Sequence, residues 1–191
     1  MDLFLLAMRI IIGFIFLSSA ISKLNNMTEH IVTVRKYKIL PSRMVRSFSY
    51  FETFVELIAS LLIIIGYKVE LAGLILLALL STYTFAIVIN LLRGNTNISC
   101  GCGGVVGNHI LSWVLPLRNL FFSIGVVFLI IHENYIFSVE SILTTNYQSS
   151  IKSVHIFYTV ISSMLFMMIY SNITSLIHIK KSFNDLLKNS I

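Results

Sequence analysis

Two thiols one residue apart are the first chemistry this chain offers. Cys100 and Cys102 are its only cysteines, and both lie in the segment NISCGCGGVVGNHILSW, residues 97–113. A disulfide between such close neighbours closes a small strained ring, which the intervening glycine makes feasible. Strain raises the reduction potential, so a bond of this kind is readily reduced and exchanged. As a staple it would do little, because the entropy removed from the unfolded chain grows with the length of loop closed. The spacing therefore points to thiol–disulfide exchange. Pro116 and Arg118 open the next apolar run and Arg93 closes the preceding one. A helix start facing the loop and two guanidinium groups beside it would each favour the thiolate. His109 is placed in sequence to trade a proton with the leaving sulfur. Two inert thiols are the plain alternative, but packed thiols do not call for the glycines of GCGG. A structural zinc needs four ligands, and Cys100, Cys102 and His109 are one short, so no metal is expected.

The elements that must position this loop are membrane helices. The chain has 191 residues, 57% hydrophobic and only 12% charged, with a mean hydropathy of +0.89; soluble domains carry about 25% charged residues. Five runs are long enough to cross a hydrocarbon layer, at about 3–23, 48–66, 70–92, 114–132 and 155–179. The expected architecture is all-α: one integral membrane domain over 1–191, with a four-helix transmembrane bundle and a fifth, C-terminal transmembrane helix. Asp2 and Arg9 argue against reading the first run as a cleaved signal. The net charge of +6 is gathered beside the apolar runs, where it serves topology and lipid headgroups, and nucleic acid is not expected. Arg35, Lys36, Lys38, Arg43 and Arg46 put the connection 24–47 in the cytoplasm, and Lys180, Lys181 and Lys188 put the tail there. Five spans then leave the amino terminus outside and the cysteine loop on the cytoplasmic side.

Charges inside the spans form a second constellation. Arg9 lies within the first span, and Glu52 and Glu56 share one face of the second at i, i+4 spacing. Such groups are too costly to leave against lipid. We expect Arg9 to meet Glu56 inside the bundle and Lys23 to lie near Glu52 at the cytoplasmic end, where the pairs either lock helix orientation or handle protons or quinone.

At these residues the chain resembles the MauE family of membrane proteins, named for methylamine utilisation, and more distantly the DoxX family. The match is carried by MRIIIGFIFLSSAISKL, YKILP, FVELIASLLIIIG, LLRGNTNISCGCGG and SWVLPLRNLFF, over about residues 5–131. The resemblance implies a four-helix core engaged in thiol and disulfide chemistry that supports disulfide formation in exported proteins, beside a thioredoxin-like partner. It implies Cys100 and Cys102 as the redox pair, with Arg9, Lys23, Glu56, Trp113, Arg118 and Asn119 supporting the core. No cofactor is required by the sequence; a membrane quinone stands as one candidate for the second electron partner. A different class stays open: a non-enzymatic accessory or immunity subunit of a peptide exporter that binds a partner or lipid. A solute transporter fits less well, since no span shows paired Gly/Pro breaks.

Overall fold

Where no water reaches the backbone, every N–H and C=O must be bonded within the segment, so each apolar run winds into one unbroken helix. In the computed structural model, which describes residues 2–96, 98–101, 103, 110–132 and 161, these helices are α1 (Asp2–Asn25), α3 (Ser42–Ile65), α4 (Val69–Leu92) and α5 (Val114–Ile131). All four are long and apolar enough to cross a membrane. The protein is therefore a multi-pass membrane protein. Between α1 and α3 the connection forms a further short helix, α2 (Met27–Lys36). The expected fifth span, 155–179, and the loop at 133–153 lie outside the described residues.

α1 packs on α3, α3 on α4, α4 on α5, and α5 closes back on α1; α2 lies over α3 and touches α1. Leu5, Ile12 and Phe16 of α1, Ala59 and Ile63 of α3, Ala72, Leu76 and Leu80 of α4 and Val126 and Leu129 of α5 fill the bundle interior. Phe54, Ile58 and Leu61 of α3 and Leu71 and Leu74 of α4 point outward, as lipid-facing surface requires. Small residues set the closest approach: a Cβ at Gly13 of α1 would collide with Ile64 of α3. The turn from α3 to α4 is short because Gly66 takes the left-handed conformation (φ +77°), letting the Gly66 and Tyr67 N–H groups return to the Leu62 carbonyl at 2.9 and 3.0 Å.

α2 was not expected from a segment read for its charges alone. Its buried residues Met27, His30 and Thr33 recur at helical spacing and continue to the buried Tyr37, while Glu29, Arg35 and Lys36 stay exposed. The helix thus lies as an amphipathic cover on the bundle end.

Candidate functional site

The buried face of α2 is what holds the cysteine loop. The Tyr37 hydroxyl donates to the Cys100 carbonyl at 2.9 Å and reaches the Ser99 carbonyl at 3.3 Å. Thr33 Oγ1 lies 3.2 Å from Ser99 Oγ, and Asn90 of α4 donates to the Tyr37 carbonyl at 3.3 Å. Burial first, and then the nearby Glu52 carboxylate, hold the Tyr37 phenol well above its ordinary pKa, so it remains a donor to the loop at any physiological pH. On the other side, Ser99 bridges to Ile110 and the Leu111 N–H bonds the Ile98 carbonyl at 3.0 Å, joining the loop to the start of α5.

Cys100 is disulfide-bonded and only 7% exposed. The chain's other cysteine, Cys102, lies outside the described residues, as does His109. Arg118 of α5 points a guanidinium nitrogen at Cys100 Sγ, 4.0 Å away. Gly101 has a positive φ of +69°, and a Cβ there would stand 3.0 Å from Thr33 Cγ2. Gly94 is equally left-handed (φ +74°) but has nothing within 4 Å. Both Gly→Ala changes should therefore lose about 1–2 kcal/mol to backbone strain. Gly101→Ala is expected to lose more, through contact with Thr33, when the two variants' thermal unfolding is compared; equal losses would show that the loop does not press on α2.

Beneath the loop lies a buried charge cluster drawn from four helices. Lys23 Nζ of α1 donates to Glu56 Oε2 of α3 at 2.7 Å and to the Tyr83 hydroxyl of α4 at 2.9 Å. The Tyr83 hydroxyl donates in turn to Glu56 at 3.2 Å, and the ammonium lies 4.3 Å from the centre of the Tyr83 ring. Lys23 also stands 3.8 Å from Glu52, the proximity the sequence led us to expect. Glu52 is held by His30 of α2, whose Nε2 lies 2.6 Å from Oε1.

Arg9 does not meet Glu56. Its guanidinium sits by the turn after α3, where a Cβ at Gly66 would stand 2.6 Å from one of its terminal nitrogens. The reason is register: α3 lies along α1 with Gly66 beside the Arg9 guanidinium and Ile64 beside Gly13, so Glu56 falls level with Lys23. Arg9, 14 residues earlier in α1, is then about 21 Å away along the axis at 1.5 Å per residue.

His30 is the residue that a motif search passes over. With Nε2 given to the Glu52 carboxylate, Nδ1 is the ring's second hydrogen-bonding atom. Among the described residues that atom is buried without a hydrogen-bond partner, and it stands 3.6 Å from where a Cβ on Gly101 would be. The signal that could have found it is the stripe Met27, His30, Thr33, Tyr37, which puts a histidine on the buried side of α2. Of the other expected supporting residues, Asn119 is buried and its amide donates to Thr84 at 3.2 Å. Trp113, at the N-cap of α5, is 62% exposed. Arg93 is exposed at the end of α4, with no described contact to Cys100.

Two cavities, each of about 310 Å³, meet at the loop. One is a polar cleft between the end of α1, α2 and the loop, lined by Asn26, Glu29, Lys36, Ser99 and Gly103. The other runs into the bundle, where Phe16, Leu80 and Phe122 line its apolar wall, Lys23, Glu56 and Tyr83 its polar end, and Cys100 and Arg118 its loop side. Lys23, His30, Thr33 and Gly101 belong to both. The site can thus stabilise a thiolate at Arg118, accept a proton at His30, and be approached from two directions.

The family model described as Methylamine utilisation protein MauE matches residues 1–132. Among curated proteins, the chain is 33% identical over 114 residues to the methylamine utilization protein MauE of Paracoccus denitrificans, covering 60% of this chain and 61% of that protein. It is 32% identical over 91 residues to the MauE of Methylophilus methylotrophus, covering 48% of each. The chain thus spans about half to three fifths of the relatives it matches. No solved structure matches. The family match covers all four spans, the α2 cover and the cysteine loop that they hold: the chain belongs to the MauE family.

Proposed function

We propose that this protein is a membrane thiol–disulfide exchange protein, which uses Cys100 and Cys102 to oxidise a thioredoxin-like or exported partner bearing a dithiol. The observation that carries the proposal is the setting of Cys100: in a disulfide, beside the Arg118 guanidinium, and in a loop faced by Nδ1 of a His30–Glu52 pair, an atom with no hydrogen-bond partner among the described residues. The partner enters by the polar cleft, which charged and polar residues line from the aqueous end. Its thiolate attacks one sulfur of the disulfide; the S–S bond breaks, a mixed disulfide forms, and the departing sulfur leaves as a thiolate that takes a proton. The partner's second thiolate then attacks the mixed disulfide. The partner leaves oxidised, and two electrons and two protons remain on this chain as a dithiol. By the names of its relatives, the setting would be methylamine utilisation.

The single variants Cys100→Ser and Cys102→Ser test this directly. Either one, expressed in cells and trapped with acid and a thiol-alkylating agent, is expected to accumulate a reducible covalent complex with a dithiol protein, while the double variant accumulates none. If neither variant traps a partner and the double variant keeps full cellular function, the bundle acts as a non-enzymatic accessory subunit instead.

A further inference from the structure

The apolar cavity does not open where a protein partner would come from. Of its lining residues, Ile39, Thr82 and Phe85 are exposed and mark its mouth; Phe85 is 63% exposed. Thr82 and Phe85 belong to α4 (Val69–Leu92), about 10–15 Å in from its end at 1.5 Å per residue, so the mouth faces hydrocarbon. A molecule entering there comes out of the lipid phase. At the inner end it finds hydrogen-bonding groups and Cys100.

We propose that this cavity seats a lipid-soluble carrier of the quinone class, which reoxidises the dithiol left after exchange. The proposal rests on the exchange function above and names its second partner. Three observations select that chemistry. First, the chain has no cysteine beyond Cys100 and Cys102, so electrons gathered there have no second thiol pair within it to move to. Second, the mouth excludes what lipid excludes: a peptide strand crossing hydrocarbon would carry unsatisfied backbone groups, and a charged soluble cofactor would be held out by the cost of burial. Third, the cavity joins an aromatic wall, Phe16 and Phe122, to a polar end. An acyl chain would leave that end unanswered, whereas a flat ring with carbonyl oxygens fits both, and about 300 Å³ is the lower range of small-molecule sites.

The step balances without a further reactant. Two S–H bonds break and one S–S bond forms; the two electrons and two protons released turn the two quinone carbonyls into the hydroxyls of a quinol. The polar cleft and the apolar cavity share His30, Lys23 and Gly101, so the loop lies where an aqueous partner and a lipid-phase partner can be served in turn.

The full chain in lipid nanodiscs, reduced with dithiothreitol and freed of it under anaerobic conditions, is mixed with decyl-ubiquinone. One quinol is expected to form for each disulfide regained. Thr82→Trp, which fills the mouth, is expected to slow quinol formation about tenfold or more by overpacking, while oxidation of the dithiol by a disulfide-form partner protein stays at the wild-type rate. A photoreactive azidoquinone should label peptides around Thr82 and Phe85 even when both cysteines are serine, which tests occupancy apart from chemistry and apart from the folding of the tryptophan variant. Dithiol that ignores the quinone yet exchanges with a disulfide protein overturns the quinone site and leaves the exchange function standing. Label confined to other surfaces, or quinol formation unchanged in a folded Thr82→Trp chain, overturns it too. A dithiol that reacts with neither oxidant overturns the exchange function itself.

Discussion

Lys23→Met is expected to cost about 3–5 kcal/mol of folding stability, the usual result of removing one partner from a buried ion pair. The lysine is 4% exposed and Glu56 1%, and the ammonium alone ties α1 to both α3 and α4. Without it, Glu56 keeps only the Tyr83 hydroxyl among its described partners, with Glu52 nearby. The penalty is thus mainly that of an uncompensated carboxylate in a low-dielectric bundle, rather than the lost attraction. That distinction can be measured. Lys23→Met combined with Glu56→Gln removes both charges and should recover most of the loss, giving a coupling energy well above the few tenths expected of independent sites. Unfolding in mixed detergent micelles, followed by loss of helical signal, provides the readout. A single variant within about 1 kcal/mol of wild type would mean that Glu56 accommodates a proton or water without strain, and that the cluster does not fasten the helices.

The same cluster shows what a sequence can and cannot reveal about a membrane protein. The spans at 70–92 and 114–132 were legible to within a residue, because hydrocarbon imposes one length and one secondary structure on any long apolar run. That Glu52 and Glu56 share a buried face followed from helical period alone. Their partners did not, because pairing depends on the relative depth of two helices, which their mutual packing sets. Here α3 sits with Gly66 against Arg9 and Ile64 against Gly13, an offset that puts Glu56 at the level of Lys23 and that the apolar pattern of neither run encodes. Cys100 and Arg118 could be placed together from spacing, as they lie on either side of one short loop. His30 could not be found that way. It is 70 residues from Cys100 in the chain, on a helix too polar to register as a span, and it reaches the loop only because α2 folds back over the bundle end.

His30→Gln, which keeps a polar side chain of similar size, is expected to slow thiol–disulfide exchange at neutral pH by about 10²-fold, the lower range for loss of a positioned proton acceptor. The geometry sets the direction. Nε2 is committed to Glu52, which orients the ring, and Nδ1 faces the loop that carries the disulfide. When a thiol of this loop attacks, Nδ1 can take its proton; when a sulfur leaves, the same proton can be returned. Glu52→Gln should cause a smaller loss, since it leaves the ring in place but removes the carboxylate that supports its positive charge. A merely structural histidine would slow exchange equally at every pH. A proton acceptor should not, because a thiol ionises unaided once the pH exceeds its own pKa, and there the base is no longer needed. Stopped-flow oxidation of the reduced chain by a disulfide-form partner, run from neutral to alkaline pH, should therefore show the His30→Gln deficit shrinking toward parity as the thiol ionises. A deficit that holds constant across that range would assign His30 to packing and leave Arg118 as the group that makes the sulfur reactive.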